Sequence, residues 1–278
     1  MTQPAPRRPR LEPSTRQPVC GLALYEKTAI GEPAGTVVCV HGSLDRARSF
    51  ARVARRLESF DVLAYDRRGY QGSRGLGACA DLDRHAEDLL EVIERAADRG
   101  PVTIFGHSLG GAIALTCAVR APGAMELVVA YETPLRWLGE LGPDWWRPVS
   151  SPELEAERFF TMMTSPGSWE HLSDEERSGR AADGPALVAD LTMVRREAPF
   201  GLDDLAACAV PLCMALGTKS EPAAYAASAE LVCSASAHAF TMSVEGARHG
   251  AHLSHPDGVA TLLHAAMARS LGAEPASR

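Results

Sequence analysis

No run of apolar residues in this 278-residue chain reaches the ~18 that a membrane-spanning helix needs. Positive charge is also short. Lys and Arg number 28 against 35 Asp and Glu, a formal charge of -7 with a pI near 5.7. That balance argues against nucleic acid or an anionic membrane surface as the main partner. The seven cysteines include no CxxC pair, so the usual spacing for zinc or a redox dithiol is missing. Cys39, Cys117 and Cys213 fall in apolar runs and read as small core residues. A reducing, cytoplasmic location is the simplest expectation. No internal repeat is visible. The first eighteen residues carry five prolines and four arginines but almost nothing apolar. No hydrophobic segment follows Arg7-Arg8, which excludes a twin-arginine export signal. A disordered leader over residues 1–18 is expected instead.

What is present fits a globular chain: 46% hydrophobic and 23% charged residues, at a length that suits one large α/β domain with an insertion. Val19 to Tyr25 reads as a first strand. Thr36–Val40 is a nearly continuous β-branched run, as expected of a strand buried on both faces. Arg46 to Ser59 reads as an amphipathic helix, with Phe50, Val53, Ala54 and Leu57 on one stripe. A short strand follows at 61–65, then the polar loop Asp66 to Ser73. Leu82 to Ala97 is a second amphipathic helix, with His85 expected at its surface or boundary. Strands at 102–105, 127–131, 210–216 and 238–244 alternate with further helices, the closing one over 257–271. Such alternation predicts a parallel sheet with helices on both faces. Its reactive residues should lie at the carboxyl ends of the strands.

Between about 135 and 201 the alternation stops. Three of the four tryptophans cluster there (Trp137, Trp145 and Trp146), followed by helical stretches at 154–164 and 185–197. The domain reading is therefore a core over 19–134 and 202–272, a helical cap over 135–201, and a frayed tail over 273–278. Trp145 and Trp146 are candidates for an apolar substrate pocket, or for packing the cap onto the core.

The chemistry centres on Gly106-His107-Ser108-Leu109-Gly110. An apolar strand precedes this G-x-S-x-G pentapeptide and a small-residue helix follows it. Strand, sharp turn and helix is the context of a nucleophile elbow, in which a strained serine sits exposed above a helix N-terminus. The helix dipole there favours a developing oxyanion. A second glycine turn, His41-Gly42-Ser43-Leu44, follows the strand at 36–40. Backbone N–H groups can point into a cleft from it, so the N–H groups of Ser43 and Leu109 are the expected oxyanion donors.

Four motifs in order make the chain resemble the α/β-hydrolase superfamily from about residue 19 to 271. They are His41-Gly42, Asp66 to Ser73, Gly106 to Gly110, and Gly246 to Leu253 before the final helix. The resemblance implies the α/β-hydrolase fold and a Ser-acid-His triad. It places the base in the loop between the last strand and helix, at His249, with His252 and His255 as runners-up. Many relatives carry the acid as an aspartate after the penultimate strand, but the matching residue here is Ser220. Glu132, at the strand end after the elbow helix, is the alternative acid site of some relatives and is favoured. Glu221 remains the other candidate. No metal and no cofactor are implied.

A serine nucleophile argues against haloalkane dehalogenase and epoxide hydrolase, whose relatives use aspartate there. The expected activity is hydrolysis of a carboxylic ester with a small or medium apolar acyl group, through an acyl-enzyme. A carbon–carbon bond hydrolase, lactonase, thioesterase or cofactor-free haloperoxidase would use the same triad. A small-molecule receptor on the hydrolase fold is a different class of reading.

Overall fold

The computed structural model describes residues 9–139, 151–196, 198–221 and 223–272. Among them eight strands form one sheet: β1 (Glu12–Pro13), β2 (Leu24–Lys27), β3 (Thr36–Val40), β4 (Asp61–Tyr65), β5 (Val102–His107), β6 (Leu127–Tyr131), β7 (Leu212–Gly217) and β8 (Ala239–Val244). Their spatial order is β1-β2-β4-β3-β5-β6-β7-β8. The first two pairings are antiparallel and the rest parallel. This is the α/β-hydrolase fold that the sequence implies.

The helices follow the strands in turn. After β3 comes α1 (Ala51–Ala54), after β4 α2 (Leu82–Ala97), and after β5 α3 (Leu109–Arg120). Among the described residues, four α-helices lie between β6 and β7: α4 (Pro152–Met163), α5 (Asp174–Ala182), α6 (Gly184–Arg196) and α7 (Leu202–Ala207). Then α8 (Ala223–Ala235) precedes β8, with α9 (Ala251–Ser254) and α10 (Pro256–Ser270) after it.

Successive side chains of β3 and β4 point to opposite faces of the sheet. Val38, Val40, Leu63 and Tyr65 pack against α2 and α3 on one face. Val37, Cys39, Val62 and Ala64 pack against α1 and α10 on the other. Both faces are covered, which is why β3 to β6 read as largely apolar runs. Cys39, Cys117 and Cys213 are buried core residues.

The start of the chain differs from its reading in two respects. Leu11 is buried and β1 pairs with β2, so the sheet begins inside the segment read as a disordered leader. Val19 to Leu22 is a tight turn closed by a Leu22 N–H to Val19 C=O bond, because Cys20 and Gly21 both take positive φ. The first long strand therefore starts at Leu24. The helix read over 46–59 is shorter too. A 3₁₀ turn (Ala47–Phe50) runs into α1, which stops at Ala54. Beyond it the chain is held by the buried Lys27 ammonium, which donates to the carbonyls of Leu57 (2.6 Å) and Phe60 (2.7 Å). Those carbonyls are drawn to a strand on the sheet instead of continuing a helical ladder. His85 is buried, against its expected place near the surface, and its Nε2 bonds the Cys79 carbonyl. Burial, with Arg67 adding to it, lowers its pKa to about 4.

Among the described residues between β6 and β7, one ion pair ties α6 to the core. Arg67 Nη2 donates to Asp190 Oδ2 at 2.6 Å, and both side chains are buried. Tyr70 Oη donates to the same oxygen at 2.6 Å. Burial alone would raise the Asp190 pKa, but the Arg67 charge and these bonds hold it below the usual range. Asp190→Asn should therefore cost about 3–5 kcal/mol, because it leaves a buried guanidinium unpaired. A carboxylate with a lowered folded-state pKa stabilises the fold above its unfolded pKa of about 4. That contribution is lost as the pH falls through the folded value. The gap between wild type and Asp190→Asn in urea unfolding should thus be full at pH 7 and shrink below about pH 4. A gap independent of pH would rule out the ion pair as its cause.

Candidate active site

Ser108 sits between β5 and α3 with φ 54° and ψ -123°, a conformation that non-glycine residues rarely adopt. The fold holds it there from several sides. Its N–H donates to Tyr131 C=O at 2.8 Å, and its C=O accepts from Gly111 N–H (2.9 Å) and Thr133 Oγ1 (3.1 Å). The serine side chain does not cap α3, so its hydroxyl is left for other work. Space explains the neighbouring glycines. A Cβ on Gly42 would lie 2.9 Å from Ser108 Cβ, and one on Gly110 would run into the Val40 carbonyl.

Glu132 follows β6, the strand beside β5, and takes φ 46°. Its side chain is fully buried. One carboxylate oxygen, Oε1, accepts from Gly217 N–H at 2.8 Å and from the Ser220 hydroxyl. The other, Oε2, lies 2.9 Å from His249 Nδ1. Burial pushes the Glu132 pKa up, but the bonds from His249, Ser220 and Gly217 outweigh it and leave the pKa lowered. Glu132 is thus an anion held at both oxygens.

His249 comes from the far side of the sheet, in the loop after β8. Two side chains hold its backbone. Tyr131 Oη donates to the Arg248 carbonyl at 3.0 Å, and His107 Nε2 donates to the His249 carbonyl at 2.9 Å. The Tyr225 ring stacks on the imidazole at 4.9 Å between centroids. Neighbours of the serine and of the glutamate therefore fix where the histidine stands.

Glu221 is placed elsewhere. Its side chain is 78% exposed and pairs with Arg248 at 2.7 Å. Ser220, read as a departure from the usual acid position, turns out to touch Glu132. Sequence spacing gives no hint of this, because 88 residues separate Ser220 from Glu132.

His252 and His255 do not reach Glu132. His252 Nε2 bonds Asp45 Oδ2 at 3.1 Å, and His255 Nδ1 meets Ser254 Oγ at 2.9 Å. Burial would raise the Asp45 pKa, but the His252 bond and charge depress it. Asp45, His107 and His252 hold ligand-type atoms within 4.8 Å of one another, the one such cluster among the described residues. The His252–Asp45 hydrogen bond already occupies two of its three groups.

On the other side of the serine, Arg67 braces the His41-Gly42 turn. Its Nε donates to His41 C=O at 2.9 Å and its Nη2 to Gly42 C=O at 3.3 Å. His41 is fully buried, and burial with the Arg67 charge lowers its pKa to about 3. It is neutral, with Nε2 accepting from Arg67 N–H at 2.9 Å. Leu44 takes φ 54° and its N–H bonds Tyr70 Oη at 3.3 Å. Among the described residues, no acceptor is paired with the Ser43 or the Leu109 N–H.

Ser43, Ser108 and His249 line one cleft that opens to solvent. Phe159, Phe160 and Met163 of α4 form its apolar wall. Trp145 and Trp146, the other pocket candidates, lie outside the described residues.

A mostly parallel sheet with a strained serine on an elbow at a strand end is the arrangement of the α/β-hydrolase fold. The match to known proteins agrees: the Alpha/beta hydrolase family covers residues 37–262, and the chain belongs to that family. A monoacylglycerol lipase of Mycolicibacterium smegmatis is 33% identical over 104 residues, covering 35% of this chain and 37% of that protein. The chain thus matches only about a third of that relative's length. A pimeloyl-[acyl-carrier protein] methyl ester esterase of Aliivibrio salmonicida is 27% identical over 82% of this chain and 90% of its own length. Among solved structures, a lipase-esterase related protein from Clostridium acetobutylicum superposes with a TM-score of 0.70 at 18% identity, covering 88% of this chain and 98% of that one. At that identity the likeness is one of fold. No helix among the described residues is long and apolar enough to cross a membrane.

Proposed function

We propose that this hydrolase cleaves carboxylic esters through Ser108, His249 and Glu132. The 2.9 Å contact between His249 Nδ1 and the buried Glu132 carboxylate carries the proposal. A carboxylate on Nδ1 fixes the imidazole tautomer, so that Nε2 bears the lone pair needed to take the serine proton.

In the proposed reaction Ser108 Oγ attacks the acyl carbon and its proton passes to His249 Nε2. The carbonyl oxygen becomes an oxyanion, held by the N–H groups of Ser43 and Leu109. One such donor is worth about 3 kcal/mol in the transition state. The C–O bond to the leaving alkoxide breaks, and the alkoxide takes the proton from His249. Water, deprotonated by the same histidine, then releases the acid and restores Ser108. The names of the lipase and esterase relatives support an ester as substrate, and the walls of Phe159, Phe160 and Met163 favour an apolar acyl or alcohol group.

The test is turnover of 4-nitrophenyl acetate and butyrate with pre-steady-state detection of nitrophenol. A burst matching the enzyme concentration, followed by slower turnover, is expected. Absence of turnover, with retained binding of a small ester analogue, would favour a receptor instead. Glu221→Gln should keep kcat/KM within about twofold of wild type, since exposed ion pairs contribute little. A loss of a hundredfold there would transfer the acid's role to Glu221.

A further inference from the structure

Arg180, on α5, lines the same cleft as Ser108. Its guanidinium is half-buried. Nη1 donates to Leu44 C=O at 3.0 Å, and the group lies 4.5 Å from the Phe160 ring centroid. Its Nε is buried without an acceptor. Among the described residues no carboxylate lies within ion-pair distance of it. The neighbouring anions are committed elsewhere. Asp45 bonds His252, while Asp183 accepts from Gln71 and Arg74. Glu176 caps the start of α5 through Ser173. Burial first, and then the like charge of Arg46, lower the Arg180 pKa, and the more distant pull of Asp45, Glu176 and Asp183 does not offset them. A desolvated cation with spare donors in a cleft is costly unless something meets it.

We infer that Arg180 binds a carboxylate on the substrate, so that the preferred ester carries an anionic group at the far end of a short acyl chain. The guanidinium's planar fork suits a carboxylate at two oxygens. Its position suits the proposed oxyanion donors. It is anchored on the Leu44 carbonyl, one residue beyond Ser43. Phe159 and Phe160 line the same cleft and offer apolar surface to a short methylene chain. This inference rests on the ester-hydrolase reading given above.

The test compares monomethyl glutarate, an anion, with dimethyl glutarate, its neutral counterpart, by titration of released acid. Wild type, Arg180→Met and Arg180→Lys are used. Wild type should prefer the monoester. Arg180→Met should lose about 10- to 100-fold in kcat/KM on the monoester, mostly through KM, and less than about threefold on the diester. Arg180→Lys should recover part of the loss. Equal losses on both esters would make Arg180 a support for the Leu44 turn and overturn the inference. So would a wild-type preference for the diester, which leaves the ester-hydrolase reading intact. If wild type cleaves neither ester nor the nitrophenyl substrates, the hydrolase reading fails and the inference fails with it.

Discussion

Ser108→Ala should lower kcat by about 10⁴- to 10⁶-fold on any ester the wild type cleaves, while the protein stays folded. The size follows from the chemistry. Without the hydroxyl no acyl-enzyme forms, and only the cleft and the two backbone donors remain to assist water. The fold should survive, because the positive φ at residue 108 is imposed by backbone bonds that alanine keeps. These are the N–H to Tyr131, and the carbonyl to Gly111 and Thr133. Thermal unfolding and stopped assays run side by side would check both halves. A variant that loses structure along with activity would not speak to the nucleophile. One that keeps more than about a tenth of wild-type activity would contradict the proposal.

Glu132→Gln should be nearly as severe, about 10³- to 10⁴-fold in kcat, and the surroundings of Oε1 say why. Two donors meet that oxygen, the Gly217 N–H and the Ser220 hydroxyl. A glutamine must keep its carbonyl oxygen there, which turns its NH₂ towards His249 Nδ1. The imidazole would then accept at Nδ1 and carry its proton on Nε2, the wrong tautomer for the proposed base. Glu132→Asp shortens the side chain by one methylene and should lose less than Glu132→Gln, since the charge survives. Kinetics of the two variants, with circular dichroism as a control for folding, distinguish tautomer control from a loss of packing. Equal losses in both would point to packing.

The central layers of this fold are legible in the sequence because burial on both faces leaves a plain signature. Thr36–Val40 and Leu127–Tyr131 are almost wholly apolar and became central strands. The elbow is legible for a similar reason. The glycines of Gly106 to Gly110 and the apolar strand before them are demanded by close backbone approach, which is a local matter. Long-range contacts are not legible. Lys27 reaching the Leu57 and Phe60 carbonyls shortens a helix that periodicity alone would extend. Asp190 meets Arg67 across 123 residues. Ser220 reads in isolation as a lost acid, whereas it donates to the Glu132 carboxylate once the sheet places β6 beside β7. The charge on Glu132 and Glu221 is the same in the sequence. The structure separates them by burial, with one side chain at 0% exposure and the other at 78%.

The coupling of Asp190 to the serine's surroundings also follows from geometry. Arg67 spans both the Asp190 carboxylate and the carbonyls of His41 and Gly42. The segment between β6 and β7 is thereby tied to the turn that carries Ser43.

The central claim is that Ser108 is an activated nucleophile, and the most direct measurement is intact-protein mass after reaction with a fluorophosphonate. Wild type should gain one adduct, Ser108→Ala none, and Glu132→Gln should label far more slowly than Glu221→Gln. An adduct that persists in Ser108→Ala, or a folded wild type that takes no label, would contradict the claim.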